Sequence, residues 1–330
     1  MNRRFSSVVG SLGFALVLAD VATARPAEWT DPSPHSVSFV GIEQGVALEV
    51  LDWGGQGVPM ILLAGLGNTA HVFDQFALHF TDRYHVIGIT RRGFGASAHP
   101  ESGYDMGTLA NDIRVACDRL GLDRVVLVGH SIAGEELTKF ASTWPNRVGA
   151  LVYLDAAYDR SSDQPTAPFP KQLDATAGDL TSISRLSAYL TRVFGARRPE
   201  AELRSHTVLD ESGRVLRDAT PDEIFKTIRA NVERPDYAHV QAPALALYQS
   251  NDIRFWFANF QQFDEDDKAR AEAVIKENEP LMNRSIEQFR REVVHGRAIR
   301  LTTGAHYFFL SNEDEVVRVM REFLASVIPS

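Results

Sequence analysis

Eight short runs of β-branched and aliphatic residues, at 36–40, 46–52, 60–63, 85–90, 124–128, 150–154, 244–248 and 297–302, are the feature that most limits how this chain can fold. Most are continuously apolar, as strands are when a sheet is covered on both faces. Between them stand stretches with helical periodicity, at 72–79, 109–120, 134–144 and 313–327. Strand and helix in alternation specify a largely parallel sheet joined by right-handed crossovers. The expected class is therefore α/β, an eight-stranded mostly parallel sheet with helices on both faces. The first two runs, separated by Gly41 to Gly45, read as a hairpin, and Ser311 to Asp314 reads as a capping-box-like start in which the serine hydroxyl caps the last helix.

The rhythm breaks between residues 157 and 241, where Pro165, Pro168, Pro170 and Pro199 and helix-like patches at 180–194, 199–206 and 221–232 occur without a clear strand. Such a length needs structure of its own, so it reads as a helical lid inserted into a core of 25–156 and 242–330. A further helical stretch covers 265–294. At the N-terminus, Arg3 and Arg4 precede an apolar or small run over 8–19 and then Ala22-Thr23-Ala24. A dozen helical residues span only about 18 Å of a roughly 30 Å bilayer core, which favours a signal peptide cleaved after Ala24 over an anchor. The expected product is exported and lacks a stable membrane anchor. With 34 basic against 43 acidic residues, the chain offers no general attraction to nucleic acid or anionic lipid. Its single cysteine, Cys117, falls in a predicted amphipathic helix and reads as a buried, inert thiol.

Chemistry enters where the apolar run 124–128 meets Gly129-His130-Ser131-Ile132-Ala133-Gly134 and then a helical pattern. A serine at a tight strand-to-helix turn is lifted to the sheet edge, and small neighbours are required because strand and helix approach closely. Here Ala133 occupies the position where glycine is usual. Ser131 needs a base, and His306, just beyond the last strand in Gly304-Ala305-His306, stands in the right chain order. His130 reads as a packing residue beside the pocket, His71 as a possible pocket residue, and His35, His99, His206 and His239 as surface or lid residues. For the acid, Asp252 and Asp155 both follow strands and both keep the order Ser, Asp, His; Asp252 is preferred, with Asp155 as the alternative. Oxyanion donors are expected at the amides of Ile132 and Leu66, the second within Ala64-Gly65-Leu66-Gly67-Asn68.

These segments, together with Arg91-Arg92-Gly93-Phe94-Gly95-Ala96-Ser97, resemble the α/β-hydrolase superfamily in its lidded, serine-nucleophile esterase and lipase-like branch. The chain departs from the family's pattern at Ala64, where a histidine commonly opens the oxyanion loop, and at Arg91, where an acidic residue is usual. The resemblance implies acyl transfer to water, with Ser131 as nucleophile, His306 as general base and a small-molecule ester as substrate. A lactone, C–C or N-terminal amide substrate, a lyase or perhydrolase reaction, and a non-catalytic binding role are the alternatives. Gly65, His130, Phe255 and Trp256 are candidate pocket residues. No cofactor and no metal are expected, because neither H-E-x-x-H nor a sequence cluster of Cys and His occurs.

Overall fold

The computed structural model describes residues 29–162, 166–171 and 173–328. The predicted signal peptide lies outside them. In chain order the strands are β1 (Ser36–Glu43), β2 (Val46–Gly54), β3 (Val58–Leu63), β4 (Tyr84–Ile89), β5 (Val125–His130), β6 (Val148–Leu154), β7 (Thr207–Leu209), β8 (Val215–Asp218), β9 (Ala244–Tyr248) and β10 (Gly296–Arg300). The α-helices are α1 (Met106–Arg119), α2 (Ala133–Thr143), α3 (Ile183–Phe194), α4 (Glu200–Ser205), α5 (Asp222–Ala230), α6 (Ile253–Trp256), α7 (Glu265–Glu292), α8 (Phe308–Ser311) and α9 (Glu313–Val327). Eight strands form one sheet in the order β1-β2-β4-β3-β5-β6-β9-β10. The β1–β2 and β2–β4 pairs are antiparallel and the remaining ones parallel.

Alternation along the central strands divides the core in two, because successive side chains point to opposite faces. Ile61, Leu63, Leu127, Leu151 and Tyr153 pack with Ile113 and Cys117 of α1, Leu137 and Phe140 of α2, and Ile286 and Phe289 of α7. Met60, Leu62, Val126, Val128, Val152 and Leu154 pack instead with Phe73, Phe76 and, from α9, Val316, Met320, Phe323 and Leu324. Cys117 is fully buried and its thiol is pushed up to about 12 by desolvation, as expected of an inert core residue. No helix among the described residues is long and apolar enough to cross a membrane.

Three local expectations fail for identifiable reasons. The helix expected over 72–79 is two 3-10 turns, Ala70–Phe73 and Phe76–His79, and the break falls at Asp74, whose carboxylate is buried beside His35 and His71. The segment between β6 and β9 carries helices α3 to α5 but also the small antiparallel pair β7–β8, turned by Asp210, which accepts from the amides of Ser212 and Arg214, and by Gly213 at φ 82°. At α9 the N-cap is Asn312 with no side-chain cap bond; the Ser311 hydroxyl donates back to the Tyr307 carbonyl.

Candidate active site

β5 ends at His130, and the next residue, Ser131, has φ 56°, a left-handed value that a non-glycine residue adopts only under constraint. Its amide donates to the Leu154 carbonyl at the end of β6, and the Gly134 amide donates to its carbonyl, which closes the turn into α2. A methyl group on Gly134 would come 2.1 Å from the Ala156 carbonyl oxygen, so helix and neighbouring strand exit meet with no room for a side chain. Ala133 is accommodated because Gly129 has no methyl: a Cβ there would lie 3.1 Å from that of Ala133 and 2.5 Å from a Leu137 methyl.

The Ser131 hydroxyl lies 3.0 Å from His306 Nε2, and His306 Nδ1 lies 2.6 Å from Asp155 Oδ2. Asp155 accepts, so Nδ1 holds the proton and Nε2 presents its lone pair to the serine. His306 comes from the loop after β10 and reaches across β9 to the end of β6, the strand beside β5, which leads into Ser131. The other oxygen of Asp155 accepts from the Gln249 amide (3.0 Å) and the Tyr158 hydroxyl (2.6 Å). This carboxylate's side chain is 2% exposed and that of His306 is 40% exposed, so the acid is enclosed while the base faces the cleft.

The preference for Asp252 is therefore corrected: the residue on His306 is Asp155. Asp252 caps α6, accepts from the Arg254 amide and pairs with the Arg254 guanidinium, which holds its carboxyl down at about 2. Chain order admits both residues, but Arg254 two positions on offers Asp252 a local partner. The small residues Ala156 and Ala157 suit Asp155 to a crowded turn, where it adopts φ 49°.

Gly65 packs directly against the turn. A Cβ on it would lie 2.7 Å from His130 Nδ1 and 3.2 Å from Ser131 Cβ. Among the described residues neither the Leu66 nor the Ile132 amide donates to a protein acceptor, as suits amides held for a developing oxyanion. Arg91, one of the two departures from the family pattern, supports this loop. Its guanidinium pairs with buried Glu136 of α2 and donates to the carbonyls of Ala64 (2.8 Å) and Gly65 (3.4 Å).

His130 is fully buried and its pKa is depressed well below the usual value, first by desolvation and then by neighbouring positive charge. The neutral ring donates from Nε2 to the His306 carbonyl (3.0 Å) and packs at a tilt with its centroid 4.5 Å from that of His306, so it braces His306 rather than lining an open pocket. Trp256 donates to the Ser250 carbonyl and packs with Phe257 and Phe263, while Phe255 is half-buried on α6. Among the described residues neither makes a hydrogen bond or ring contact with the Ser131–His306 pair. An apolar cluster instead joins Leu66 and Ile132 to Phe94 and to Ile224, Phe225 and Ile228 of α5. From α4, Glu202 accepts from Asn68 (2.8 Å) and from the Thr69 hydroxyl (2.6 Å) and amide. Burial raises the Glu202 carboxyl to about 7 against those donors. The 157–241 segment thus rests on the loop that follows β3 at two points, a contact the sequence does not announce.

Curated relatives match only in part. A 2-(acetamidomethylene)succinate hydrolase of Mesorhizobium japonicum is 31% identical over 101 residues, 31% of this chain and 36% of that protein. A non-heme chloroperoxidase of Streptomyces lividans is 34% identical over 120 residues, 36% of this chain and 44% of that one. A bifunctional esterase/perhydrolase of Acinetobacter calcoaceticus is 30% identical over 123 residues, 37% of this chain and 45% of that one. The matched stretches span less than half the length of each of these relatives. Among solved structures, an E-2-(acetamidomethylene)succinate hydrolase superposes with TM-score 0.62 at 17% identity, over 88% of this chain and 99% of that one. A carboxylesterase from Bacillus subtilis does so with TM-score 0.58 at 15% identity, over 90% and 94%. At such identities the likeness is one of fold. The model of the α/β hydrolase fold family matches residues 58–312, from the start of β3 to the N-cap of α9, and a match over that span on a sheet of this order makes the chain a member of that family.

Proposed function

We propose that this protein is a serine hydrolase that cleaves a carboxylic ester through an acyl-enzyme intermediate. The observation that carries the reading is the continuous hydrogen-bonded line from the strained Ser131 through His306 to Asp155. His306 Nε2 takes the serine proton as Oγ adds to the ester carbonyl. The oxyanion is met by the Leu66 and Ile132 amides, and Asp155 stabilises the imidazolium that forms. The imidazolium then protonates the leaving alkoxide. In the second half-reaction the same nitrogen deprotonates water, which attacks the acyl carbon and releases the acid and free serine.

The apolar surroundings of Leu66 and Ile132, with Phe94 and Phe225, suit an uncharged small-to-medium acyl or alcohol group. No metal or organic cofactor enters these steps. Export after cleavage near Ala24 belongs to the same proposal and rests on the leader's sequence alone; N-terminal sequencing of the protein recovered outside the cytoplasm tests it. A fluorophosphonate, read by intact mass, tests serine activation without presuming a substrate. One adduct on the wild type and none on Ser131→Ala or His306→Ala supports the proposal; an unreacted wild type overturns it. A p-nitrophenyl ester series then sets chain-length preference.

The bifunctional esterase/perhydrolase among the relatives favours one second reading. Hydrogen peroxide in place of water would intercept the acyl-enzyme and release a peracid and the free serine. Peracid formation assayed beside ester hydrolysis separates the two.

A further inference from the structure

Away from Ser131, four side chains from two distant stretches of sequence converge: Asp31 and His35 just before β1, and His71 and Asp74 around the first 3-10 turn. One ligand atom from each lies within 4.8 Å of all the others. The His35 and Asp74 side chains are each 2% exposed and that of His71 is 10% exposed. Among the described residues His35 Nδ1, His71 Nδ1 and both Asp74 carboxylate oxygens make no hydrogen bond, although each is buried. Leaving that many buried polar atoms unpaired is costly, and native proteins avoid it.

The spacings are informative. His71 Nδ1 is 3.4 Å from Asp31 Oδ2 and 3.4 Å from Asp74 Oδ2, and His35 Nδ1 is 3.0 Å from Asp74 Oδ1. Ligands bound at about 2.0–2.1 Å in a tetrahedron sit about 3.3–3.4 Å from one another; the two His71 gaps have that length, the His35–Asp74 gap is shorter and runs to the other Asp74 oxygen, and a small shift of side chains within the 4.8 Å cluster would bring all four around one small cation. The remaining nitrogen of His71 points the other way: Nε2 is 3.6 Å from Glu49 Oε1, and Glu49 Oε2 accepts from the Thr90 hydroxyl (2.7 Å). A carboxylate behind the far nitrogen of an imidazole is the arrangement that orients metal-bound histidines. Charge agrees with geometry, since three carboxylates surround two imidazoles with no Lys or Arg paired to Asp31, Asp74 or Glu49 among the described residues.

We propose that Asp31, His35, His71 and Asp74 form a tetrahedral site for a divalent transition-metal ion of the zinc type, with Glu49 orienting His71. Four protein ligands leave no open position, so the ion is structural. It staples the segment before β1 to the chain that leaves the oxyanion loop. His35 is then an interior ligand rather than the surface residue its sequence context suggests.

The test is titration of the chelator-stripped full chain with ZnCl2 alone, followed by calorimetry and thermal melting, with Co2+ as a spectroscopic stand-in. One equivalent should bind and raise Tm, and Co2+ should give the intense visible bands of a tetrahedral site. His71→Ala and Asp74→Asn should each weaken binding by more than about 100-fold, and Glu49→Gln by about 10-fold. Asp31→Ala, at the half-buried edge of the cluster, provides the variant least able to perturb folding. Ser131→Ala should bind as the wild type does. A folded wild type that takes up no Zn2+, or stoichiometric binding that survives both His71→Ala and Asp74→Asn, overturns the proposal.

Discussion

His306 and His71 both sit beside enclosed aspartates, yet their contacts differ. His306 shares a 2.6 Å hydrogen bond with Asp155, and His71 lies 3.4 Å from an Asp74 oxygen with no hydrogen bond between them. In the first pair every acceptor position has a donor: the Gln249 amide and Tyr158 hydroxyl hold one oxygen of Asp155 and His306 the other. In the second, buried imidazole nitrogens and Asp74 oxygens approach one another without a hydrogen bond. One arrangement handles a proton; the other is built around a cation. A histidine's neighbours, not its identity, decide which task it takes up.

The comparison breaks most sharply at the acids. Asp155→Asn should lower kcat by about 10³–10⁴-fold, because the imidazole loses the partner that fixes its tautomer, and should leave Zn2+ binding unchanged. Asp252→Asn should change kcat by less than about threefold. If steady-state kinetics reverse that order, Asp155 is not the catalytic acid. Next in size is Arg91→Met, which strips support from the Ala64 and Gly65 carbonyls and strands buried Glu136. A loss of about 3–5 kcal/mol in urea unfolding is expected. A kcat fall of about 10–100-fold with KM little changed should accompany it, which sets a positioning role apart from a purely structural one.

The smallest effect sharpens how far the two histidine groups are mechanically joined. The chain from residue 64 to residue 74 is held at its start by Arg91, at Asn68 and Thr69 by Glu202, and at its end by His35 with Asp31. Glu202 has a folded pKa raised to about 7 from 4.5, so its contribution favours the folded state below about pH 4.5 and fades as pH rises through 7. Glu202→Gln should flatten the fall in Tm between pH 5 and 8 by about 2–4 °C, as differential scanning calorimetry would read. An unchanged slope would assign that pH dependence elsewhere, for example to Glu135, which burial also raises to about 7.

Much of this was legible in the residues. All eight sheet strands fall where their apolar runs place them, most of them because a strand covered on both faces has few other ways to read, and the exposed edge strand β1 through its hairpin with β2. Ser131 and His306 follow from the tight turn and from chain order. What could not be read is which distant groups meet. The choice between Asp155 and Asp252 depends on how far the loop after β10 reaches over β9, a distance no spacing encodes. The convergence of 31–35 with 71–74 has the same origin, since each half carries only two ligands and looks ordinary alone. Strands β7 and β8 escaped notice because three- and four-residue strands carry too little pattern against the turn residues around them.

Gly134 is a spacer made of nothing. Helix α2 carries the serine turn at its head and rests, through this one residue, on the chain that has just delivered Asp155. A single added carbon there would act as a wedge, lifting the acid's backbone away from the nucleophile's and loosening the histidine held between them. The register of the three groups is therefore set in part by an atom the sequence withholds.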